Sequence, residues 1–189
     1  MLVQGWKISG SFNAQSGIPL QIRGPRNGLT NRVNVVGDPA AGRAGKTRYQ
    51  LEQEWFNPNA FQAVFGSDPA IINLVTNGTP TELDAINEYW RFGTAGFRLG
   101  NARAPGFWGS DMSLSKDFRI FESKLLQLRM EAYNVFNHQN FGLPSTNWCL
   151  PPNSDGSTDA VHQFGCQFGR INNVVSDPRA LQFGLKIVF

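Results

Sequence analysis

The sequence has little charge, only two cysteines and no long apolar run. Asp, Glu, Lys and Arg make up 16% of its 189 residues, compared with about 25% in an average soluble domain. Aromatic residues make up 12%, which excludes a disordered chain, because disordered segments are rich in charge and poor in aromatics. A helical membrane protein is also excluded, since no apolar run approaches the roughly 18 residues of a spanning helix.

The charged residues that are present give no sign of a nucleic-acid partner. The formal net charge is +3, and the 17 Lys and Arg residues are scattered singly along the chain. Nucleic-acid binding requires positive charge that is clustered on one face or one segment. We therefore expect no nucleic-acid partner.

Residues suited to catalysis or metal binding are scarce. His138 and His162 are the two histidines, and neither has Cys, Asp or Glu neighbours at a spacing typical of metal sites. The glycine-rich segment 93–96 lacks the lysine of a phosphate-binding loop. We therefore predict no catalytic residue, no metal site and no cofactor, and the protein is not expected to be an enzyme.

Four segments alternate apolar and polar residues with a period of two, which is typical of β-strands. They lie at about 5–20, 110–120, 125–137 and 179–189. A short turn at 122–124 joins the second and third segments, so these two strands are expected to be antiparallel neighbours. The sequence thus predicts an all-β fold with about four long antiparallel strands.

Two long irregular tracts, 24–109 and 138–177, connect these strands. Both are far longer than the roughly 12–15 residues at which a loop becomes unusual. Asn57-Pro58 predicts a helical turn that carries Phe61 and Phe65 four residues apart. The two phenylalanines are expected to pack the tract internally.

A second short helix is expected within the first tract. The segment 79–82 (Thr-Pro-Thr-Glu) has the N-cap, first-turn and third-position residues of a capping box. Leu83, Ile86 and Trp90 then recur on one helical face. The long tracts are therefore expected to contain short helices.

The strand alternation has two explanations. An antiparallel sheet with one solvated face produces the same period, but three features favour a transmembrane β-barrel. The strands approach the roughly 11 residues needed to cross a bilayer, and one tight turn lies between very long connections, as in outer-membrane barrels. The polar faces also carry opposite charges that are able to pair in a wet lumen. Closure of the barrel would satisfy the backbone groups inside lipid.

The alternation assigns the side chains to two faces. The apolar set is expected to meet lipid: Trp6, Ile8, Phe12, Met112, Leu114, Phe118, Leu126, Leu128, Met130, Phe183, Leu185 and Ile187. The opposite set is expected to face the lumen, and its charged members are Asp117, Arg119, Arg129, Glu131 and Lys186. Lys116 falls on the apolar parity, and we expect its ammonium group to snorkel toward lipid headgroups.

The last strand ends in an aromatic residue. Phe183, Leu185, Ile187 and Phe189 recur at every second position, which is similar to the terminal signal that the outer-membrane assembly machinery reads. An exposed strand edge of this kind is suited to capture by strand addition. We therefore expect these four residues to act as an assembly signal.

The ordered motifs of the chain resemble the barrel end of TonB-dependent receptors, and within them the Oar-like group that has a carboxypeptidase-regulatory-like N-terminal domain and is often seen in Acidobacteria. Any one motif is weak, whereas the set in this order is specific and spans nearly the whole chain. The motifs are Gly5–Gly10, Ser16–Pro19, Trp55–Phe61, Phe97–Gly106 with Asp111–Phe118, Leu128–Phe141 and Pro178–Phe189.

The resemblance implies the C-terminal part of a barrel of about 22 strands with a plug in its lumen. Such receptors import scarce or large ligands across the outer membrane, driven through a periplasmic energy-coupling protein. The resemblance further implies an outer-membrane location in a Gram-negative-type bacterium, with the plug, the rest of the barrel, lipid and the assembly machinery as partners. With the last strand ending in the periplasm, the tracts 24–109 and 138–177 are expected to be extracellular loops.

A disulfide between Cys149 and Cys166 follows from that placement. Both cysteines lie in the second tract, where an external environment is oxidising. A loop of this size is stabilised by about 3 kcal/mol in the chain-entropy model. The alternative is a pair of free thiols.

Two other functions fit the same sequence. A soluble β-sandwich that binds carbohydrate would use Trp55, Trp90, Trp108 and Trp148 as sugar platforms. A cell-surface adhesive barrel would share the membrane fold without transporting anything. Solubility without detergent distinguishes the first of these from a barrel, and a plug domain distinguishes a receptor from the second. The ligand itself is not indicated by the sequence.

Overall fold

Strands dominate the computed structural model, which describes residues 4–25, 32–85, 90–121 and 124–189. In chain order the strands are β1 (Trp6–Gln15), β2 (Pro19–Leu20), β3 (Asn34–Val35), β4 (Phe61–Gln62), β5 (Leu99–Arg103), β6 (Phe107–Phe121), β7 (Lys124–Tyr133) and β8 (Ala180–Val188). The four long strands form one antiparallel sheet in the order β1-β6-β7-β8. The predicted all-β, antiparallel fold is therefore confirmed.

The chain divides into two units. The sheet unit comprises Met1–Ser16, Pro105–Phe141 and Val174–Phe189, and it contains the four-stranded sheet. The loop unit comprises Gly17–Ala104 and Gly142–Asn173. Most of the two long tracts predicted between the strands thus folds into a unit of its own.

The first strand is shorter than the predicted segment 5–20. β1 ends at Gln15, and Pro19 and Leu20 pair instead with β5 in the loop unit. Proline has no N–H to donate to a sheet ladder, so it occurs at strand ends and edges. The apolar–polar alternation of the sequence continues through Pro19, although there the chain leaves its pairing with β6 and pairs with β5 instead.

The third strand also stops before the end of its predicted segment, 125–137. β7 ends at Tyr133, because Asn134 and Asn137 adopt φ angles of 49° and 51°. These angles belong to the left-handed region, which a strand does not use and asparagine tolerates better than most residues. The second strand, in contrast, begins at Phe107 rather than at 110. Ser110 interrupts its apolar parity, which hid the beginning of the strand.

The described residues of the loop unit form three short α-helices, α1 (Arg48–Gln53), α2 (Pro69–Asn77) and α3 (Pro80–Asp84). The capping residues predicted for α3 are confirmed, since the Glu82 carboxylate accepts hydrogen bonds from the Thr79 N–H and hydroxyl, both at 2.8 Å. Of the residues expected to continue this helical face, Ile86 lies outside the described residues, and Trp90 lies beyond α3, which ends at Asp84. The sequence did not predict α1 and α2.

The helical turn predicted at Asn57-Pro58 is a 3-10 helix, Pro58–Ala60, and it ends before Phe65. Phe61 already belongs to β4, which pairs with β3. Both phenylalanines are buried, so their predicted packing role holds although the helix is shorter. Phe168 contacts Phe61 with ring centroids 5.4 Å apart and Phe56 at 5.7 Å.

The hydrophobic core lies in the loop unit. Its largest fully buried apolar side chains include Phe56, Phe65, Ile22 and Val33. Among the described residues of the sheet unit, Ala132 is the one buried hydrophobic residue. The loop unit therefore has a core of its own, whereas the sheet unit does not.

Candidate functional site

The register of the sheet sorts the side chains of its four strands into two sets. Residues opposite each other in neighbouring strands share a face. Ile8 lies opposite Leu114, Leu114 opposite Met130, and Met130 opposite Phe183. The remaining residues of the predicted lipid-facing set fall on this same face: Trp6, Phe12, Met112, Phe118, Leu126, Leu128, Leu185 and Ile187.

The opposite face carries the charged residues that were expected to point to a lumen. The Asp117 carboxylate accepts hydrogen bonds from Lys7 and Gln127, each at 2.8 Å. Arg129 pairs with Glu131 at 2.5 Å. Arg119 and Lys186 share this face by their register, since Arg119 lies opposite Leu125 and Lys186 opposite Gln127. Opposite charges on this face do pair, as the alternation indicated.

Lys116 is a charged residue within the apolar face of the sheet. Its side chain is only 3% exposed, and its ammonium group donates a hydrogen bond to the carbonyl of Gln4, beyond the first residue of β1. The same ammonium lies 5.0 Å from the centre of the Trp6 ring and 5.4 Å from that of Phe118. Cation–π contacts of this kind stabilise a cation in an apolar environment. The lysine thus extends toward the end of the sheet, in the direction expected for snorkelling.

Aromatic rings cluster at two levels of the sheet. Around Trp108, the ring of Phe12 lies at 6.1 Å, that of Phe136 at 6.0 Å and the imidazole of His138 at 3.9 Å. Trp6 and Phe118 flank Lys116 at the other end. Trp108 and Phe118 are ten residues apart on β6, or about 33 Å along a strand and about 25 Å along an axis tilted by about 40°. That spacing matches an apolar band between two aromatic girdles in outer-membrane barrels.

The apolar face of the sheet remains exposed. Trp6 is 53% exposed, Ile8 71% and Phe183 74%. Burying each such side chain is worth about 1.5–3 kcal/mol, and monomeric soluble proteins rarely leave a continuous apolar face of this size in water. The sheet therefore has the surface of a membrane-spanning element.

A match to a protein-family model also indicates a membrane-spanning sheet. Residues 1–182 match the model described as an outer membrane beta barrel domain. The chain belongs to the outer membrane beta barrel domain family. Its location is accordingly the outer membrane of a Gram-negative-type bacterium. No curated protein and no solved structure matches the chain significantly.

In its described residues the sheet unit has one sheet, which argues against the β-sandwich considered above, because a sandwich requires two packed sheets. Trp148 is only 4% exposed, and its indole N–H donates to the Pro58 carbonyl at 2.9 Å. The guanidinium of Arg43 covers the Trp55 ring, 4.4 Å from its centre, and Trp108 is stacked on His138. Trp90, at 42%, is the most exposed of the four. The rings of Trp55, Trp108 and Trp148, predicted as sugar platforms, are thus occupied by protein groups.

The predicted assembly signal lies in β8, where Phe183, Leu185 and Ile187 point to the apolar face. Phe189 follows the strand and is 85% exposed. The Lys124 ammonium lies 5.5 Å from the centre of its ring. β8 pairs with β7 on one side, so in the described part of the barrel domain its other edge has no strand against it.

The two cysteines lie together in the loop unit. The sulfur atoms of Cys149 and Cys166 are 2.01 Å apart and the Cα atoms 5.8 Å apart, which is the geometry of a disulfide. The bond closes the segment between them at its base. Cys149 is buried in the core, and Cys166 packs against that core. The cross-link therefore ties a surface segment to the rigid part of the unit.

A histidine–aspartate pair in this segment escaped the sequence reasoning. Nδ1 of His162 lies 2.9 Å from Oδ2 of Asp159, and the backbone N–H groups of Val161 and His162 also donate to this carboxylate. Burial acts to raise the pKa of Asp159, but the hydrogen bonds from His162 and Val161 outweigh it and the pKa lies below its ordinary value. The one sequence signal for this pair is its spacing, since Asp159 and His162 are three residues apart.

Metal binding finds no support in the described parts of the two units, which contain no group of three or more His, Cys, Asp or Glu side chains able to hold an ion. None of the helices in the described ranges is long and apolar enough to span a bilayer. His138 follows β7 and stacks on Trp108. It therefore belongs to the aromatic cluster around Trp108.

Two asparagines, Asn134 and Asn140, hold the end of β7, and neither was predicted from the sequence to have this role. The Asn134 side chain donates to the carbonyls of His138 and Asp177 and accepts from the His138 N–H, all within 2.9 Å. Asn140 is 3% exposed and bonds both the N–H and the carbonyl of Trp108. They fix the connection between β7 and the neighbouring strands. The motif Leu128–Phe141 contains both residues.

Proposed function

We propose that the chain is part of the barrel of a TonB-dependent receptor of the Oar-like type, which binds a scarce or large ligand and imports it across the outer membrane. The observation that supports this most strongly is the sheet unit itself. Its strands have an apolar face and a charged face, yet Ala132 is the one buried hydrophobic residue among its described parts. A sheet of this kind needs lipid on one side and water or protein on the other.

The open edges of the sheet support a larger barrel. β1 pairs with β6 and β8 with β7, and in the described residues neither outer edge has a second partner. Four strands cannot close, since a barrel of about 8 strands is among the smallest known. The function therefore depends on further strands of the same barrel, on its plug and on a periplasmic energy-coupling protein. The proposed role is binding and transport without a catalytic step or a cofactor.

The proposed orientation follows from the end of β8. With Phe189 at the periplasmic side, the turn between β6 and β7 is also periplasmic, and the tracts 24–109 and 138–177 are extracellular. Long external loops make the first contact with ligand in such receptors, and loops generally carry binding function. In this arrangement the loop unit is the ligand-binding part.

The most direct test is to read the gene upstream of codon 1. A receptor requires an in-frame signal peptide, a plug domain and further barrel strands. Deletion of the plug segment from that gene should abolish energy-dependent uptake while the barrel still assembles. A reading frame that encodes barrel strands without a plug would contradict import.

An adhesive barrel is the second candidate. The loop unit has its own core and a disulfide between Cys149 and Cys166, and a stable folded unit outside the membrane suits attachment as well as ligand capture. Such a protein would bind its target without a plug and without dependence on the energy-coupling protein. Binding that is unchanged when the coupling protein is deleted, together with absence of uptake, would favour this function.

A further inference from the structure

Two cavities meet between α2 and the segment closed by the Cys149–Cys166 disulfide. One has a volume of about 370 Å³ and is lined mainly by apolar side chains, among them Phe61, Trp148 and Val161. The other, of about 330 Å³, is lined mainly by amide and hydroxyl side chains. Ser67, Ile72 and His162 border both cavities. The two cavities are therefore adjacent in the loop unit, and together they are called the cleft, which has an apolar part and a polar part.

The cleft has a defined architecture. One wall of the cleft is α2. Its lining residues are spaced one helical turn apart, Ile72 with Thr76 and Asn73 with Asn77. The other wall is joined to this helix, because the Thr76 hydroxyl accepts a hydrogen bond from the Ala160 N–H at 2.8 Å. The disulfide closes the same segment at its base. A site that is held in shape before binding loses less entropy when a ligand enters.

The polar part offers neutral groups rather than charge. The one charged side chain there, Asp159, already accepts hydrogen bonds from Val161, His162 and Asn153. The Asn73 amide N–H₂ and the Thr158 hydroxyl donate to no residue in the described part of the chain. A lining of amides and hydroxyls without free charge suits a ligand that carries hydroxyl groups and no net charge.

His162 adds an acceptor at the junction of the two cavities. Because its Nδ1 faces the Asp159 carboxylate at 2.9 Å, the neutral ring carries its proton on Nδ1, and Nε2 is left as an acceptor. Hydroxyl groups donate and accept, so a polyol is able to use both the amide donors of α2 and this acceptor. The adjoining apolar cavity provides space for an aromatic or aliphatic substituent.

We propose that this cleft binds a neutral glycoside, with the sugar in the polar part and an apolar aglycone in the apolar part. This proposal names a ligand class for the loop unit and rests on the proposed function only in that the ligand comes from outside the cell. Each cavity lies at the lower end of the range of about 300–1,000 Å³ for small-molecule sites. A single sugar ring with one small ring attached is the expected size.

The test uses the full chain in detergent micelles and the fluorescent probe 4-methylumbelliferyl β-glucoside. Asn73→Ala and Thr158→Val remove one polar group from each wall at exposed positions, and each should weaken probe binding by roughly fivefold, the loss expected for one hydrogen bond. Asn101→Ala, at an exposed position of β5 outside the cleft, is the matched control and should leave binding unchanged. Near-UV circular dichroism establishes that each variant keeps its fold.

4-Methylumbelliferyl phosphate carries the same ring system with a charged group in place of the sugar, and it should bind at least roughly fivefold more weakly than the glucoside. Equal affinity for the two probes, equal binding by the three variants, or no glucoside binding up to about 10 mM would overturn the proposal. Glucoside binding by a receptor that imports nothing would contradict the proposed function alone. Uptake of some other ligand with no glucoside binding would contradict this inference alone.

Discussion

At the scale of single residues, an added charge should cost more free energy on the apolar face of the sheet than on the opposite face. Met130 lies opposite Leu114 and Phe183 near the middle of the apolar face. Met130→Arg should destabilise the barrel by about 2–4 kcal/mol, because its guanidinium would lie at mid-depth in lipid. Leu128 is a less clean site for this test, since it lies opposite Lys116 and an added arginine there would also meet a like charge.

The matched control is Ser113→Arg at the same depth on the opposite face. Ser113 lies opposite Glu131, so the new guanidinium has a carboxylate beside it and water or protein around it. Its cost should be below about 1 kcal/mol. Denaturant titration of the barrel in lipid vesicles measures both values. Equal destabilisation by the two arginines would show that the faces are assigned wrongly.

Asp159 gives a pH dependence to the loop unit. Its pKa in the folded chain is lowered by hydrogen bonds that outweigh the opposing effect of burial. A carboxyl whose folded pKa lies below its unfolded value, about 3.9, adds stability that is fully present above that value and is lost as the pH falls through the folded pKa. The loop unit should therefore lose stability as the pH is lowered below about 4.

Asp159→Asn should reduce this loss without removing it, because the pKa values of Glu82 and Asp155 are also lowered, by their hydrogen bonds to Thr79 and Ser157. Denaturant midpoints at neutral and acid pH, followed by tryptophan fluorescence, to which buried Trp148 contributes, measure the difference. The account of Asp159 would be wrong if wild type and variant lost the same stability on acidification.

Some residues were predictable from the sequence because their signal is periodic. The two-residue period placed Ile8, Leu114, Met130 and Phe183 on one side, and the register puts them on one face. The pair His162 and Asp159 gave no such signal, because a contact within an irregular loop depends on backbone conformation. The cleft beside this pair also requires α2, whose Thr76 lies 84 residues before Ala160 in the sequence. No local sequence pattern predicts that these two segments are close in space.

At the scale of elements, the last strand is expected to matter most during assembly. Phe189 is exposed beyond the end of β8, and the outer edge of this strand is free in the described part of the sheet. An edge with alternating apolar side chains is suited to capture by strand addition. Deletion of Phe189 should lower the amount of the protein in the outer membrane.

The affinity of the inserted protein for the proposed glycoside should change little, because Phe189 belongs to the sheet unit and the proposed cleft to the loop unit. Quantitative immunoblots of outer-membrane fractions and binding per inserted molecule separate the two effects. Replacement of Gln182, on the opposite face of β8, by alanine is the control. Normal insertion without Phe189 would refute its role as an assembly signal.

Element ends were harder to predict than element existence. All four long strands were expected, but β1 stops where Pro19 joins another sheet and β7 stops where Asn134 and Asn137 turn left-handed. Helix α3 has a capping box that the sequence shows. The predicted turn at Asn57 shortens to a 3-10 helix because Phe61 pairs in β4, which is a tertiary constraint.

At the scale of the whole molecule, the two units require different surroundings. The loop unit buries its own apolar residues around Phe56 and Phe65, as a water-exposed structure does. The sheet unit leaves Trp6, Ile8 and Phe183 exposed and has two strand edges that invite association with other chains. The chain is therefore expected to behave as a soluble unit attached to a sheet that requires lipid.

If this sheet belongs to a membrane-spanning barrel, the association state of the full 189-residue chain should depend on detergent. Sedimentation velocity should show aggregates after refolding in buffer alone, and a defined protein–detergent complex after refolding in micelles. In both samples the disulfide is kept oxidised, so that the loop unit is the same. A chain that is monomeric, soluble without detergent and cooperatively folded would show that the sheet does not belong to a membrane barrel.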